Sequence, residues 1–172
     1  MSYTTIKAIW PGEKHEDLVE LGNSWRSAPV VWNRLAERYL GSGTAWLTGD
    51  KTRLWKLVDR KDVPQFMRRV LMMTFDRAYV LKKDYAKAAA DIRRFMLELP
   101  QSPDFVCNWP KIAEIFESDP DIPAIGFHHT SVSEDPFLGP RNEETDEYEP
   151  TDWSKCWSIY DEDLDAETEA TS

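Results

Sequence analysis

The sequence predicts an α+β fold: a mainly helical body of five or six helices, a small two- or three-stranded β-sheet and an acidic C-terminal segment. Three observations lead there. Apolar residues recur at helical spacing through most of residues 27–117. Two β-branched and aromatic runs, YTTIKAIW near the start and IGFHHTSVS from Ile125, flank that stretch. Acidic residues gather at one end: residues 133–172 hold 14 acids against only Arg141 and Lys155, a net −12, while the other 132 residues net +2.

The first run, residues 3–10, reads as a strand closed by a turn at Pro11 and Gly12. Residues 13–21 begin with acids, place Leu18 and Leu21 three apart and are followed by Gly22, the pattern of a short helix. Ser27 is placed to cap a second helix, with Pro29 in its first turn, Val31, Leu35 and Tyr39 at intervals of four, and Gly41 after its end. Trp25 is expected to plug the joint before it. Residues 41–49 read as a loop. A short helix over 50–58 follows, with Leu54, Trp55 and Val58 on one side.

Asp62 and Gln65 have capping-box spacing around Pro64. The helix they open, 63–81, carries two apolar rows, one through Met67, Leu71, Phe75 and Ala78 and one through Phe66, Val70 and Met73. A helix apolar on two stripes packs on both sides, so this one is expected at the centre of the body. Residues 83–99 form the cleanest amphipathic pattern, with Tyr85, Ala89, Ile92, Met96 and Leu99 inward. Its polar face offers Lys87–Asp91 and Arg94–Glu98 pairs, worth about 0.2–0.5 kcal/mol each. Pro100 stops it. Residues 103–106 suggest a short extended piece, and Asn108 is placed to cap a last helix over 110–117. Residues 125–133 then read as a strand pairing with the N-terminal one.

This divides the chain into a compact α+β domain, 1–141, and an acidic segment, 142–172. Within the segment, Trp153, Trp157, Ile159 and Tyr160 give residues 153–162 enough apolar content to dock, either on the body, as a final strand beside 125–132, or on a partner. Residues 163–172 are expected to be disordered.

Function classes narrow by pattern. No stretch approaches a membrane span, and the start lacks the charged and apolar regions of a signal peptide, which predicts a cytoplasmic protein. Cys107 and Cys156 form no metal-binding spacing. No nucleophile elbow, phosphate loop or dinucleotide fingerprint occurs, so a non-enzymatic role without a cofactor is expected. His128 and His129 are adjacent, and on a strand neighbouring side chains point to opposite faces, which opposes a shared metal. A metal-dependent hydrolase centred on His128, His129 and Glu134 is the alternative if the chain kinks there.

Basic pairs in the body, such as Arg68 with Arg69 and Arg93 with Arg94, are interleaved with acids, and the acidic end repels phosphate; direct nucleic-acid binding is not expected. The expected function is an acidic protein-binding inhibitor or regulator that engages a basic protein partner. A nucleic-acid-handling enzyme, blocked by charge mimicry, is one such partner. The residues expected to make the contact are Glu143, Glu144, Asp146, Glu147, Glu149, Asp152 and Trp153. A third reading is a structural subunit of an assembly, with some of the eight Trp forming an oligomer interface.

Overall fold

The computed structural model describes residues 2–49, 52–100, 102, 104–161 and 164. It is α+β, as expected, but the sheet is larger than the sequence suggests. Strands β1 (Tyr3–Trp10), β2 (Lys14–Gly22), β3 (Ala78–Leu81), β4 (Ala124–His128) and β5 (Trp157–Ser158) form one mixed five-stranded sheet in the order β2-β1-β4-β3-β5. This corrects the two- or three-stranded expectation. The described helices are α1 (Ala28–Leu40), α2 (Ala45–Thr48), α3 (Thr52–Trp55), α4 (Gln65–Met72), α5 (Tyr85–Glu98) and α6 (Trp109–Glu117). None is long and apolar enough to cross a membrane.

Two local corrections account for the extra strands. Residues 13–21 are not a helix but most of β2, which runs antiparallel to β1 with Ile6 opposite Val19 and Trp10 opposite Lys14. Pro11 and Gly12 are the corner of this hairpin: Gly12 has φ 84, and the Glu13 amide donates to the Trp10 carbonyl at 2.9 Å. β2 is an edge strand with a largely wet surface, so its acids resemble a helix start in sequence. Residues 63–81 are likewise not one helix. α4 ends at Met72, the Thr74 hydroxyl donates to the Leu71 carbonyl (2.7 Å), and Arg77 takes a left-handed φ of 64 before β3 begins. The capping box does not form; Asp62 instead pairs with Arg60 at 2.5 Å, and Pro64 precedes the helix.

α1, α5 and α6 lie close to their expected positions, and α2 adds a helical turn within the expected 41–49 loop. The two expected caps work differently, however. Neither Ser27 nor Asn108 caps its helix through its side chain. Instead Asn108 Nδ2 donates to Ser27 Oγ (2.9 Å), and Trp109 Nε1 donates to the Ser27 carbonyl (2.9 Å). The Thr4 hydroxyl lies 2.8 Å from Ser27 Oγ and 2.9 Å from the His129 carbonyl. This buried polar node ties the starts of α1 and α6 to the sheet, satisfying groups whose burial unpaired would cost about 1–3 kcal/mol each. On α5, Arg94–Glu98 forms (2.8 Å), but Lys87 pairs with Asp84 (2.9 Å) and leaves Asp91 to another partner.

The sheet is covered on both faces. On one, Ile6, Val80, Ile125 and Phe127 join the main core with α1, α4, α5 and α6. On the other, Ile9, Ala124 and Phe137 are fully buried, with Tyr79, Leu81, Trp153 and Cys156 packed against them. The chain after β4 therefore folds back over the sheet. Gly126 makes this possible: a Cβ there would sit 2.6 Å from Phe137 Cζ. Lys7 is buried in the same layer, between Asp17 (2.5 Å) and Asp135.

The expected final strand exists as β5, but it does not lie beside β4. It pairs in parallel with β3, the Trp157 amide donating to the Arg77 carbonyl (3.1 Å) and the Ile159 amide to the Tyr79 carbonyl (2.9 Å). Tyr160 then donates to Asp91 Oδ2 at 2.6 Å on α5, with the Arg69 guanidinium 4.6 Å from its ring centre. Apart from Leu164, the expectation for residues 163–172 falls outside the described residues.

Candidate functional site

The acidic segment between Pro140 and Pro150 is a folded hairpin. Arg141 and Tyr148 bridge its stem, the Asn142 amide donates to the Glu147 carbonyl (2.7 Å), and the Glu149 amide donates to the Pro140 carbonyl (2.9 Å). Asn142 Oδ1 accepts from the amides of Glu144 (2.9 Å) and Thr145 (3.2 Å), the side-chain-to-backbone turn that asparagine favours. Gly139 is required at the base, because a Cβ there would run into the backbone of Glu149 and Pro150.

The structure treats the seven predicted contact residues differently. Glu143, Glu144, Glu147 and Glu149 are exposed and form no ion pair among the described residues. Asp146 is exposed too but pairs with Arg141. Asp152 accepts from the Ser154 amide (3.2 Å) at the start of a 3-10 turn and lies 3.3 Å from Lys155. Bonds from Ser154 and then Lys155 hold its carboxyl below the usual range. Trp153 is half-buried on the Phe137 cluster.

His128 and His129 do not converge. His128 Nε2 lies 3.0 Å from the Ser133 carbonyl, whereas His129 Nε2 donates to the Met73 carbonyl at 2.7 Å. His129 stacks on Phe127, ring centres 5.4 Å apart. Among the described residues no group of three His, Cys, Asp or Glu gathers, so the convergence a metal-dependent hydrolase requires at this place is not found. Because the acceptor of Nε2 is a carbonyl, that nitrogen carries the proton and Nδ1 is left as a lone-pair acceptor. Nδ1 is buried without a partner. Burial pushes the His129 imidazole down to about 4, so the ring is neutral at neutral pH.

His129 lines an open cleft of about 590 Å³, within the range of small-ligand sites. Its walls are Trp32 from α1, Trp55 from α3 and Phe75 and Asp76 from the turn after α4, with Thr130 and Ser133 completing the rim. Trp32 and Trp55 meet at 77° with centres 5.4 Å apart; Trp55 and Phe75 meet at 90°, also 5.4 Å apart. The row continues from Trp32 to Trp46 (4.9 Å) and on to Trp25 (6.3 Å), beside a second cavity of about 290 Å³ that shares Trp32 and His129. Hydrogen bonds fix the orientation of two rings: Trp32 Nε1 donates to Thr74 Oγ1 (2.8 Å) and Trp46 Nε1 to Asn33 Oδ1 (2.6 Å).

The chain matches no protein-family model, no curated protein and no solved structure.

Sequence reasoning missed this cleft. Each Trp taken singly fits a core role, and the walls come from segments as far apart as residues 32 and 133, with no common period. The only available signal was the number of tryptophans before residue 60.

Proposed function

We propose that the protein is a non-enzymatic binding protein that engages a basic surface on a protein partner through the hairpin of residues 141–149. One observation carries this reading: Glu143, Glu144, Glu147 and Glu149 are displayed on a hydrogen-bonded hairpin and form no ion pair among the described residues. Four carboxylates fixed in space attract a basic groove, speed encounter and set register. A partner groove built for nucleic acid fits such a display, and blocking it by charge mimicry is the regulatory act we assign. Both cysteines are free thiols, which suits a reducing compartment, and we place the protein in the cytoplasm.

The test is affinity capture of host proteins on the immobilised chain, scanned over salt. The captured species is identified by mass, purified and rebound to the wild type and to a variant with Glu143, Glu144, Glu147 and Glu149 all changed to Gln. The reading requires a basic partner, loss of capture with rising salt, and an association rate reduced at least about tenfold in the variant. Binding that ignores both salt and the substitutions overturns it.

A further inference from the structure

We infer that the cleft walled by Trp32, Trp55, Phe75 and Asp76 is a binding site for a small organic cation, an alkylated ammonium, whose apolar substituents run toward Trp46 and Trp25. This goes beyond the hairpin reading and does not depend on it.

The chemistry of the lining selects the charge. Among the described residues no Lys or Arg lines either cavity. Several hydrogen-bond donors are already engaged inside the protein. Trp32 donates to Thr74, Thr74 to the Leu71 carbonyl, Ser133 to the Thr130 carbonyl (3.0 Å) and His129 Nε2 to the Met73 carbonyl. Apart from the Trp55 and Trp25 ring N–H groups and the Thr130 and Ser2 hydroxyls, what remains is electron-rich: the aromatic rings and the exposed Asp76 carboxylate. Asp76 makes no hydrogen bond or ion pair among the described residues.

Geometry adds to this. Trp32, Trp55 and Phe75 share the wall of the cleft, and aromatic rings attract a cation whose charge is spread over methyl groups. An anion would face Asp76 and the π clouds. A neutral apolar guest would leave Asp76 unpartnered. The second cavity, which shares Trp32, His129 and Thr130 with the first, gives the apolar part of the ligand a place to lie. Cavities of this size suit a free amine of metabolite size rather than a protein surface.

The experiment titrates the full chain with choline and with its neutral carbon isostere, 3,3-dimethylbutan-1-ol, following the tryptophan indole N–H signals by NMR. Choline is expected to shift the Trp32 and Trp55 signals and to bind about tenfold more tightly than the alcohol. Asp76→Asn, an isosteric change at an exposed residue, is expected to weaken choline about three- to tenfold and leave the alcohol unchanged. A peptide carrying trimethylated lysine is expected to bind no better than choline. Equal binding of choline and alcohol, equal loss of both in D76N, or no shift at any soluble concentration overturns the cation site. A peptide that binds at least tenfold more tightly than choline overturns the assignment to a free amine. Trp55→Phe, which keeps a ring in the wall, is expected to retain part of the choline affinity, and undiminished binding in both Trp55→Phe and Trp55→Ala overturns the placement.

Discussion

Phe137 occupies the space a side chain on Gly126 would need. The ring lies on the bare backbone of β4, its Cζ 2.6 Å from the position of an added Cβ. Phe137 is fully buried there and anchors the chain that covers the second face of the sheet.

Gly126→Ala is therefore expected to destabilise the protein by about 1–3 kcal/mol through overpacking. Phe137→Ala is expected to cost about 3–5 kcal/mol through the cavity it leaves. Because the alanine methyl would enter that cavity, the double variant should be more stable than the sum of the two losses implies. Urea unfolding of the three variants measures the coupling; strict additivity would show that the two residues do not touch.

The Asn108–Ser27 bond makes a second prediction. Asn108→Ala removes one of the two bonds to the buried Ser27 hydroxyl, leaving it Thr4 alone, and frees the start of α6, at an expected cost of about 1–3 kcal/mol. Hydrogen exchange should speed up at the first turns of both α1 and α6, although α1 is untouched in sequence. Faster exchange confined to α6 would contradict a shared node.

The ion cluster on the second face sets a pH window. Burial works to raise the Asp135 carboxyl, but hydrogen bonds from His15, Lys7 and the Phe137 amide outweigh it and hold the group well below its ordinary 3.8. The stability this contributes is present above 3.8 and lost as pH falls toward the depressed value. Burial likewise works to lower Lys7, and Asp135 and Asp17 raise it above 10.5; its share is full below 10.5 and lost as pH rises through the folded value. Asp135→Asn should cost about 3 kcal/mol at neutral pH, because Lys7 keeps only Asp17. The deficit should shrink at both ends of the pH scale. A deficit independent of pH, read from urea midpoints, would refute the assignment.

Tyr160→Phe removes the hydroxyl that reaches Asp91 and should cost about 1.5–3 kcal/mol near neutrality. Burial raises Asp91, while Tyr160 and Arg69 partly restrain it. The native state thus holds an extra proton just above 3.8; that stabilisation is full below 3.8 and fades as pH rises through the folded value. Without Tyr160 the folded value climbs further, so the deficit should be smaller at about pH 3 than at about pH 7. Equal deficits at the two pH values would count against the bond.

Asn142→Ala leaves the net charge unchanged but removes the acceptor that folds the acidic hairpin. If the proposed partner reads an ordered display, this variant should bind more weakly than wild type with the same salt slope. Unchanged affinity would mean that charge alone suffices.

Much of the fold was readable where an element declares itself within one local window. α1, α5 and α6 combine an apolar stripe with a clear stop, and YTTIKAIW matches β1 residue for residue. β2 was misread because an edge strand with one wet face shows no clean alternation, and its identity rests on a hairpin partner. The junction inside residues 63–81 was hidden because the chain passes from a buried helix into a buried strand and stays apolar throughout; Thr74 and Arg77 mark it, and neither is a strong breaker. At the candidate sites, composition revealed the carboxylates but not the Asn142 turn that orders them. The tryptophan cleft lay beyond any window, because its walls are assembled by tertiary packing.

β5 pairs only two residues, yet it determines when the sheet is finished. β3 has β4 on one side and only Trp157 and Ser158 on the other, and those arrive some eighty positions later in the chain. During synthesis, every earlier strand will have emerged from the ribosome while that border of β3 still offers its backbone to any neighbouring nascent polypeptide. Ribosome-bound chains stalled short of Trp157 should therefore be the aggregation-prone species, and chaperone demand should fall once the closing strand is released.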